Sequence, residues 1–161
     1  MPMKGLSKQV MPVRTKDKQR TTTTPVRLLG AAAVEAALSK KARDIVVMDM
    51  QGVSGVADFF VLCTGDSELQ VKAIVDAVRD QIRETYRERP WHKEGLDHYQ
   101  WVILDYVDLV VHVFSEEKRA YYDLERLWGD APREQLPDDG EAADVKLLQA
   151  SPEQPPPTLE N

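Results

Sequence analysis

The residues whose types could do chemistry cluster between positions 101 and 114. Trp101, Asp105, Asp108 and His112 all lie in this short segment. Closely spaced carboxylates can hold a magnesium ion for nucleotidyl transfer, whereas acids beside a tryptophan can form a docking surface for a basic protein. Asp105 and Asp108 are separated by a predicted turn, and the sequence places no third carboxylate beside them. A binding protein is therefore the main hypothesis, and a metal-dependent nucleotidyltransferase-like enzyme is the alternative.

The same segment predicts a β-hairpin whose two faces differ. With a two-residue turn at Tyr106 and Val107, Asp105 lies opposite Asp108 and Trp101 lies opposite His112. The other face is wholly aliphatic and consists of Val102, Leu104, Leu109, Val111 and Val113. The core must cover the aliphatic face, so the mixed face is predicted to dock a partner. In the alternative, helices cover both faces and the acids lie at the solvated end of the hairpin.

Composition favours one folded domain in a reducing compartment. The chain has 161 residues, 42% of them hydrophobic, and a single cysteine, Cys63, in an apolar run that predicts a buried core residue. No disulfide or cysteine-based zinc cluster is possible within it, and no apolar run reaches the roughly 18 residues of a membrane span. An apolar signal segment is missing at the N-terminus, so a cytoplasmic location is predicted.

No known nucleotide-binding or nucleophile motif occurs, and the three histidines lack metal-ligand spacing. We therefore predict no cofactor and no metal ion. Thr64, Gly65, Asp66 and Ser67 form a strand-to-helix junction whose backbone N–H groups could face an anion, but Asp66 would repel a phosphate. An ordinary helix start explains this junction better.

Charge divides the chain into three parts. Residues 1–24 hold six basic residues against Asp17 and predict a disordered basic arm. Residues 129–161 hold eight acids against Arg133 and Lys146 and contain three consecutive prolines. Residues 131–161 are therefore predicted to be a disordered acidic tail, with one helical turn near residues 145–148. The domain between them, residues 25–130, is net acidic, which disfavours sequence-specific binding to nucleic acid.

Hydrophobic periodicity predicts the element order α-β-β-α-β-β-β-α for this domain. Thr24 and Pro25 begin the first helix, and strands follow at residues 44–50 and 57–64. A capping box at residues 67–70 opens the longest helix, an extended piece at residues 91–94 precedes the hairpin, and Ser115 caps the last helix. This order predicts an α/β fold in which helices flank a small mixed β-sheet.

Residues 26–128 resemble the ribosomal silencing factor family, also called Iojap-like proteins. The resemblance rests on five blocks in order: residues 57–65; Ser67 with residues 70–74 and Asp76; Glu94-Gly95; residues 101–106 and 108–114; and Arg119, Tyr121-Tyr122 and Leu124 to Trp128. It implies a fold similar to minimal nucleotidyltransferases without their catalytic acids. It also implies binding to the large ribosomal subunit through ribosomal protein uL-fourteen, which blocks joining of the small subunit and represses translation.

These observations define a predicted docking surface. It comprises Trp101, Asp105, Asp108 and His112, flanked by Glu94, Arg119 and Tyr122. Trp101 is the predicted anchor, and its alternative role is that of a core aromatic. The family usually has glycine where this chain has Val107, so we expect a turn type that avoids positive φ there. The edge of a mixed sheet also makes a homodimer possible.

Overall fold

The computed structural model describes residues 24–53 and 55–149. Its helices are α1 (Val26–Ser39), α2 (Glu68–Tyr86), α3 (Glu116–Tyr122) and α4 (Leu124–Leu127). Its strands are β1 (Arg43–Asp49), β2 (Phe59–Gly65), β3 (His92–Glu94), β4 (Trp101–Asp105), β5 (Leu109–Ser115) and β6 (Arg133–Gln135). Two short 3-10 helices, Ala142–Asp144 and Lys146–Leu148, follow β6. None of the described helices is both long enough and apolar enough to cross a membrane.

The six strands form one mixed sheet in the order β3-β4-β5-β2-β1-β6. β2 and β5 are parallel, and every other neighbouring pair is antiparallel. Parallel strands need a long crossover, and here α2 and the β3-β4 segment lie between β2 and β5 in the chain. The predicted α/β fold with a small mixed sheet is confirmed, and β6 is the strand that the sequence did not predict.

The first face of the sheet lies beneath α1 and α2. Its aliphatic side chains, including Val102, Leu104 and Val111, join both helices in one buried cluster. The α2 residues in this cluster recur at helical spacing: Val71, Ile74, Val75, Val78 and Ile82. The aliphatic face of the hairpin is therefore core, as predicted. Cys63 is buried in the same cluster, as predicted, and burial raises the pKa of its thiol to about 12.

The helix starts follow the sequence signals in part. Ser67 Oγ accepts a hydrogen bond from the Gln70 N–H at 3.1 Å, as a capping box requires. The Gln70 amide does not complete the box, because its oxygen accepts the N–H of Asp66 rather than that of Ser67. Its nitrogen donates to the carbonyl oxygens of Lys40 and Lys41 at 2.9 and 3.0 Å. This bond pair ties the start of α2 to the end of α1. Thr24 does not cap α1; its hydroxyl donates to a Glu88 carboxylate oxygen at 3.1 Å.

Residues 131–149, the C-terminal strap, are folded onto the domain, so the prediction of a disordered tail from residue 131 is wrong for this part. β6 pairs with β1, and the buried side chains of Leu136, Ala142, Val145 and Leu148 join the first core cluster. The Glu134 carboxylate accepts the N–H groups of Lys146 and Leu147, both at 3.0 Å. Net charge misled the prediction because a few spaced apolar residues suffice for docking. The predicted turn near residues 145–148 is confirmed.

Gly30 on α1 gives the strap room to pack. A Cβ atom built at this position would lie 2.9 Å from Leu148 Cδ2, closer than a carbon contact allows. A larger residue at position 30 would therefore require the Leu148 side chain to shift. The predicted arm, apart from Thr24, and the tail beyond residue 149 lie outside the described residues.

The hairpin turn sits one residue later than predicted, which moves the register by two. Trp101 pairs with Phe114, Ile103 with His112, and Asp105 with Val110. The turn residues are Val107 and Asp108, and Tyr106 N–H donates to Leu109 O at 2.7 Å. Asp105 therefore does not face Asp108, and the predicted pairing of these acids is wrong.

Val107 adopts φ 78°, although a β-branched residue disfavours this region. Our expectation of a turn without positive φ is therefore wrong. Two hydrogen bonds hold the strained residue: Asp105 Oδ1 accepts the Val107 N–H at 2.9 Å, and Asp108 N–H donates to Tyr106 O at 3.0 Å. The second bond closes a γ-turn centred on Val107, a conformation that is rare and strained at positive φ.

Candidate functional site

The second face of the sheet is also covered, as in the alternative in which helices cover both faces, but Asp105 is buried rather than at a solvated hairpin end. A second core cluster contains Trp101, Phe60 and Phe114 together with Leu124 and Trp128 from the α4 region. Trp101 is 1% exposed, Asp105 2% and His112 0%. The prediction that these three side chains form an open surface is wrong. Trp101 is a core aromatic because α3 and α4 fold back over it.

Trp101 and His112 form a polar contact inside this apolar layer. Indole Nε1–H donates to His112 Nδ1 at 3.2 Å, so the proton of a neutral imidazole lies on Nε2. Burial, and secondarily the charge of Arg119, lowers the pKa of His112 to about 3. His112 is therefore neutral at physiological pH. Its Nε2 has no hydrogen-bond partner in the described part of the chain. The centroids of the His112 and Phe60 rings lie 4.6 Å apart.

Arg119 attaches α3 to the sheet. Its guanidinium donates to Asp44 O at 2.6 Å, to Thr64 Oγ1 at 3.0 Å and to a Glu125 carboxylate oxygen at 2.7 Å. Only 12% of its side chain is exposed. Because Arg119 bonds to residues of β1, β2 and α4, its side chain has little freedom to contact another molecule. It positions the helix that carries Tyr122.

Tyr122 is the predicted site residue that combines contact with Trp101 and partial exposure. Its ring centroid lies 4.6 Å from that of Trp101. A groove of about 340 Å³ opens beside this pair and is lined by His98, Gln100, Trp101, Lys118 and Tyr122. A second hollow of about 380 Å³ also borders Tyr122 and is lined by Tyr121, Tyr122, Asp123, Arg126 and Leu127. We call the two hollows together the Tyr122 surface.

Several residues of this surface were missed from the sequence. His98 and Gln100 precede β4 in a loop, where no periodicity indicates which side chains converge. Tyr121 could have been recognised from the helical spacing of α3. Arg119 and Tyr122 lie three residues apart, on one side of the helix, while Tyr121 lies off that side and is 62% exposed.

The acids of the predicted site lie away from the groove. Asp105 is four residues along β4 from Trp101, a distance of about 13 Å in a strand. Asp108 is at the hairpin tip, where its carbonyl accepts the N–H groups of Asp58 and Phe59 at 2.8 and 3.1 Å. Glu94 lies on the edge strand β3, with its carboxylate 2.9 Å from His92 Nε2. No group of three metal-ligating side chains is placed to hold a metal ion within residues 24–53 and 55–149.

Comparison with known proteins resolves the family. Residues 23–158 match the sequence model for "Ribosomal silencing factor during starvation", abbreviated RsfS. The chain belongs to the ribosomal silencing factor family. The match extends past residue 130 through the C-terminal strap, in agreement with the fold. The resemblance noted from the sequence motifs is thereby confirmed.

Ribosomal silencing factors from distant bacteria and a plastid protein are similar to this chain. The Bacillus subtilis ribosomal silencing factor is 47% identical over 100 residues, which cover 62% of this chain and 84% of the relative. The chloroplastic Iojap protein of Zea mays is 33% identical over 108 residues, covering 65% of this chain and 45% of that protein. These names describe a regulatory factor of the ribosome rather than an enzyme.

Solved structures support the fold of this ribosomal silencing factor family member. A crystal structure from Bacillus halodurans aligns with a TM-score of 0.60 at 40% identity, covering 70% of this chain and 100% of the other. A crystal structure from Chromobacterium violaceum aligns with a TM-score of 0.63 at 33% identity, covering 66% of this chain and 88% of the other. The shared region is therefore most of a family domain.

Proposed function

We propose that this protein is a cytoplasmic, non-catalytic factor that binds the free large ribosomal subunit through ribosomal protein uL-fourteen. Bound there, it blocks joining of the small subunit and so represses translation. The observation that carries the proposal is the family match over residues 23–158. The contact with uL-fourteen and the blocked joining are our inference for this chain.

Charge supports a basic protein as the direct partner. Residues 24–149 hold 24 acidic against 15 basic side chains. Such a surface attracts a basic protein and repels phosphate over most of its area, which favours fast association with the protein face. The partner of the main interface is therefore a basic protein rather than a bare stretch of RNA.

We place the centre of the interface on the Tyr122 surface. Tyr122 is partly exposed and packs on Trp101, so it joins an accessible ring to a rigid floor. Tyrosines in such partly buried positions are common energetic centres of interfaces. In this arrangement Trp101, His112 and Arg119 shape the groove from beneath. Glu94 and Asp108 act at a distance as rim acids that steer the partner, while Asp105 holds the hairpin turn.

Sedimentation of the tagged full-length chain in sucrose gradients tests the proposal. At a magnesium concentration that separates subunits, we expect it to migrate with free large subunits and not with small ones. Added in excess before the magnesium concentration is raised, it should reduce the peak of joined ribosomes. Migration with small subunits alone, or unchanged joining despite bound factor, contradicts the proposal. A homodimer through the β3 edge stays a prediction, which the mass of the free chain in light scattering would test.

A further inference from the structure

Two cations lie on the Tyr122 surface. Lys118 lines the first hollow and Arg126 lines the second, and Tyr122 lines both. Neither forms an ion pair or a side-chain hydrogen bond within residues 24–53 and 55–149. Arg119, between them in sequence, is fully engaged with Asp44, Thr64 and Glu125. Arg119 is therefore used by the fold, whereas Lys118 and Arg126 are not.

These cations do not suit the basic protein partner. Like charges facing each other across an interface cost free energy and reduce specificity. Asp123 also lines the second hollow, but it makes no ion pair with Arg126 in the described region. The two side chains are therefore available to an anionic neighbour from outside the domain.

Tyr121 indicates the chemistry of this neighbour. Its side chain is 62% exposed, and its ring stands perpendicular to that of Tyr122 with centroids 4.9 Å apart. An exposed aromatic ring that packs on a second ring, with cations in the two adjoining hollows, suits a nucleotide chain. Bases stack on aromatic faces, and phosphates pair with Lys and Arg.

We infer that Lys118, Arg126 and Tyr121 contact ribosomal RNA beside the protein partner. The inference rests on the proposed function, because RNA adjoins the interface only if the factor sits on the large subunit. The factor then makes a composite contact, with its acids toward the basic protein and its two free cations toward phosphate groups. The net acidity of the domain keeps the RNA contact local to this surface.

Binding to two targets separates this RNA contact from the protein contact. We would measure the affinity of the full chain for intact large subunits and for purified uL-fourteen over a range of salt concentrations. The test variant is Lys118→Gln with Arg126→Gln. The matched control is Lys72→Gln with Arg83→Gln, which removes a lysine and an arginine that are ion-paired on α2, to Asp76 and Asp80.

The test variant should bind intact subunits about tenfold more weakly at low salt, with a salt dependence shallower by about one to two in log–log slope. Its affinity for purified uL-fourteen should match that of the wild type, as should both affinities of the control. Tyr121→Ala should also weaken binding to subunits, whereas Tyr121→Phe retains it.

Wild-type affinity of the test variant for intact subunits overturns the inference. Equal losses toward subunits and purified uL-fourteen overturn it too, because they assign the cations to the protein contact. Weaker subunit binding with an unchanged salt slope rejects RNA, because loss of two phosphate contacts must make the salt dependence shallower. If the wild type binds subunits but not purified uL-fourteen, the proposed partner falls, while the expected loss and slope change in the variant still support the RNA contact.

Discussion

The two faces of the sheet are both buried, but they are covered in different ways. The first face is aliphatic and lies beneath α1 and α2, of 14 and 19 residues, with the C-terminal strap along its edge. The second face is rich in aromatic rings, holds His112, and lies beneath α3 and α4, of 7 and 4 residues. No residue of α3 is itself buried.

This difference shows where the fold leaves room for function. Long helices with many buried side chains cover most of the first face, and its side chains serve stability. The thin cover of the second face leaves two grooves that Tyr122 lines, and a polar contact between Trp101 and His112 fixes the floor. Substitutions on the first face should therefore affect stability alone, and substitutions on the second face should also affect binding.

Removing the strap tests the cover of the first face and has the largest expected effect. A chain ending at residue 132 loses β6 and the buried side chains of Leu136, Val145 and Leu148. At roughly 1.5–3 kcal/mol for each buried aliphatic side chain, we expect a loss of about 5 kcal/mol or more in free energy of unfolding. Urea denaturation measures this loss. A chain ending at residue 149 is the control and should match the full chain; equal stability of both truncations contradicts the docked strap.

Trp101→Ala and Leu104→Ala compare the two faces directly on one strand. Each removes a fully buried side chain, so we expect losses of about 3–5 kcal/mol and about 2–5 kcal/mol in free energy of unfolding. At a temperature where both variants are folded, only Trp101→Ala should bind large subunits more weakly, because it removes the floor of the groove. Unchanged stability of Trp101→Ala in denaturant melts would show that the indole is not core.

The pH dependence of stability tests the environment of His112. The pKa of the folded-state imidazole, about 3, lies below its ordinary value of 6.5, so the folded protein binds fewer protons between these pH values. Stability must therefore fall as the pH falls below 6.5, by about 2 kcal/mol at pH 5. His112→Asn cannot titrate, so the stability difference between wild type and variant should narrow by this amount from pH 7 to pH 5. A constant difference contradicts a neutral buried imidazole.

Val107 provides the smallest and most local test. Glycine in the middle of a strand normally destabilises it relative to alanine by roughly 0.5–1 kcal/mol, but at φ 78° glycine avoids the strain that alanine retains. We therefore expect Val107→Gly to be more stable than Val107→Ala by about 1 kcal/mol, the reverse of the usual order. Thermal melts of the two variants decide the order. A more stable alanine variant would rule out positive φ at this residue.

Local patterns predicted most of the fold, and long-range packing explains the errors. Alternation in β4 and β5 identified the aliphatic face, and the signals at Ser67 and Ser115 marked two helix starts. The hairpin register failed because it depends on where the turn lies, and Val107 occupies a position that its residue type disfavours. The folded strap was not predicted because charge composition does not show that a few apolar side chains, such as Leu148 beside Gly30, pack against the domain.

The sequence identified several residues that come together at the site, but it did not predict how they are arranged. Trp101, His112, Arg119 and Tyr122 do come together around the second face. Alternation alone cannot tell an exposed mixed face from one covered by later helices, so it placed Trp101 at the surface. Asp105 and Asp108 were joined to the site by alternation along the two predicted strands, and their predicted pairing came from the incorrect register.

Affinity for purified uL-fourteen tests the central claim most directly when Tyr122→Ala is compared with Tyr86→Ala. Both tyrosines are partly buried, Tyr122 against the second core cluster and Tyr86 against the first. We predict that Tyr122→Ala weakens binding at least tenfold, about 1.4 kcal/mol, while Tyr86→Ala binds like the wild type. Equal affinity of the two variants, with melting curves showing both folded, would contradict a docking surface on the second face.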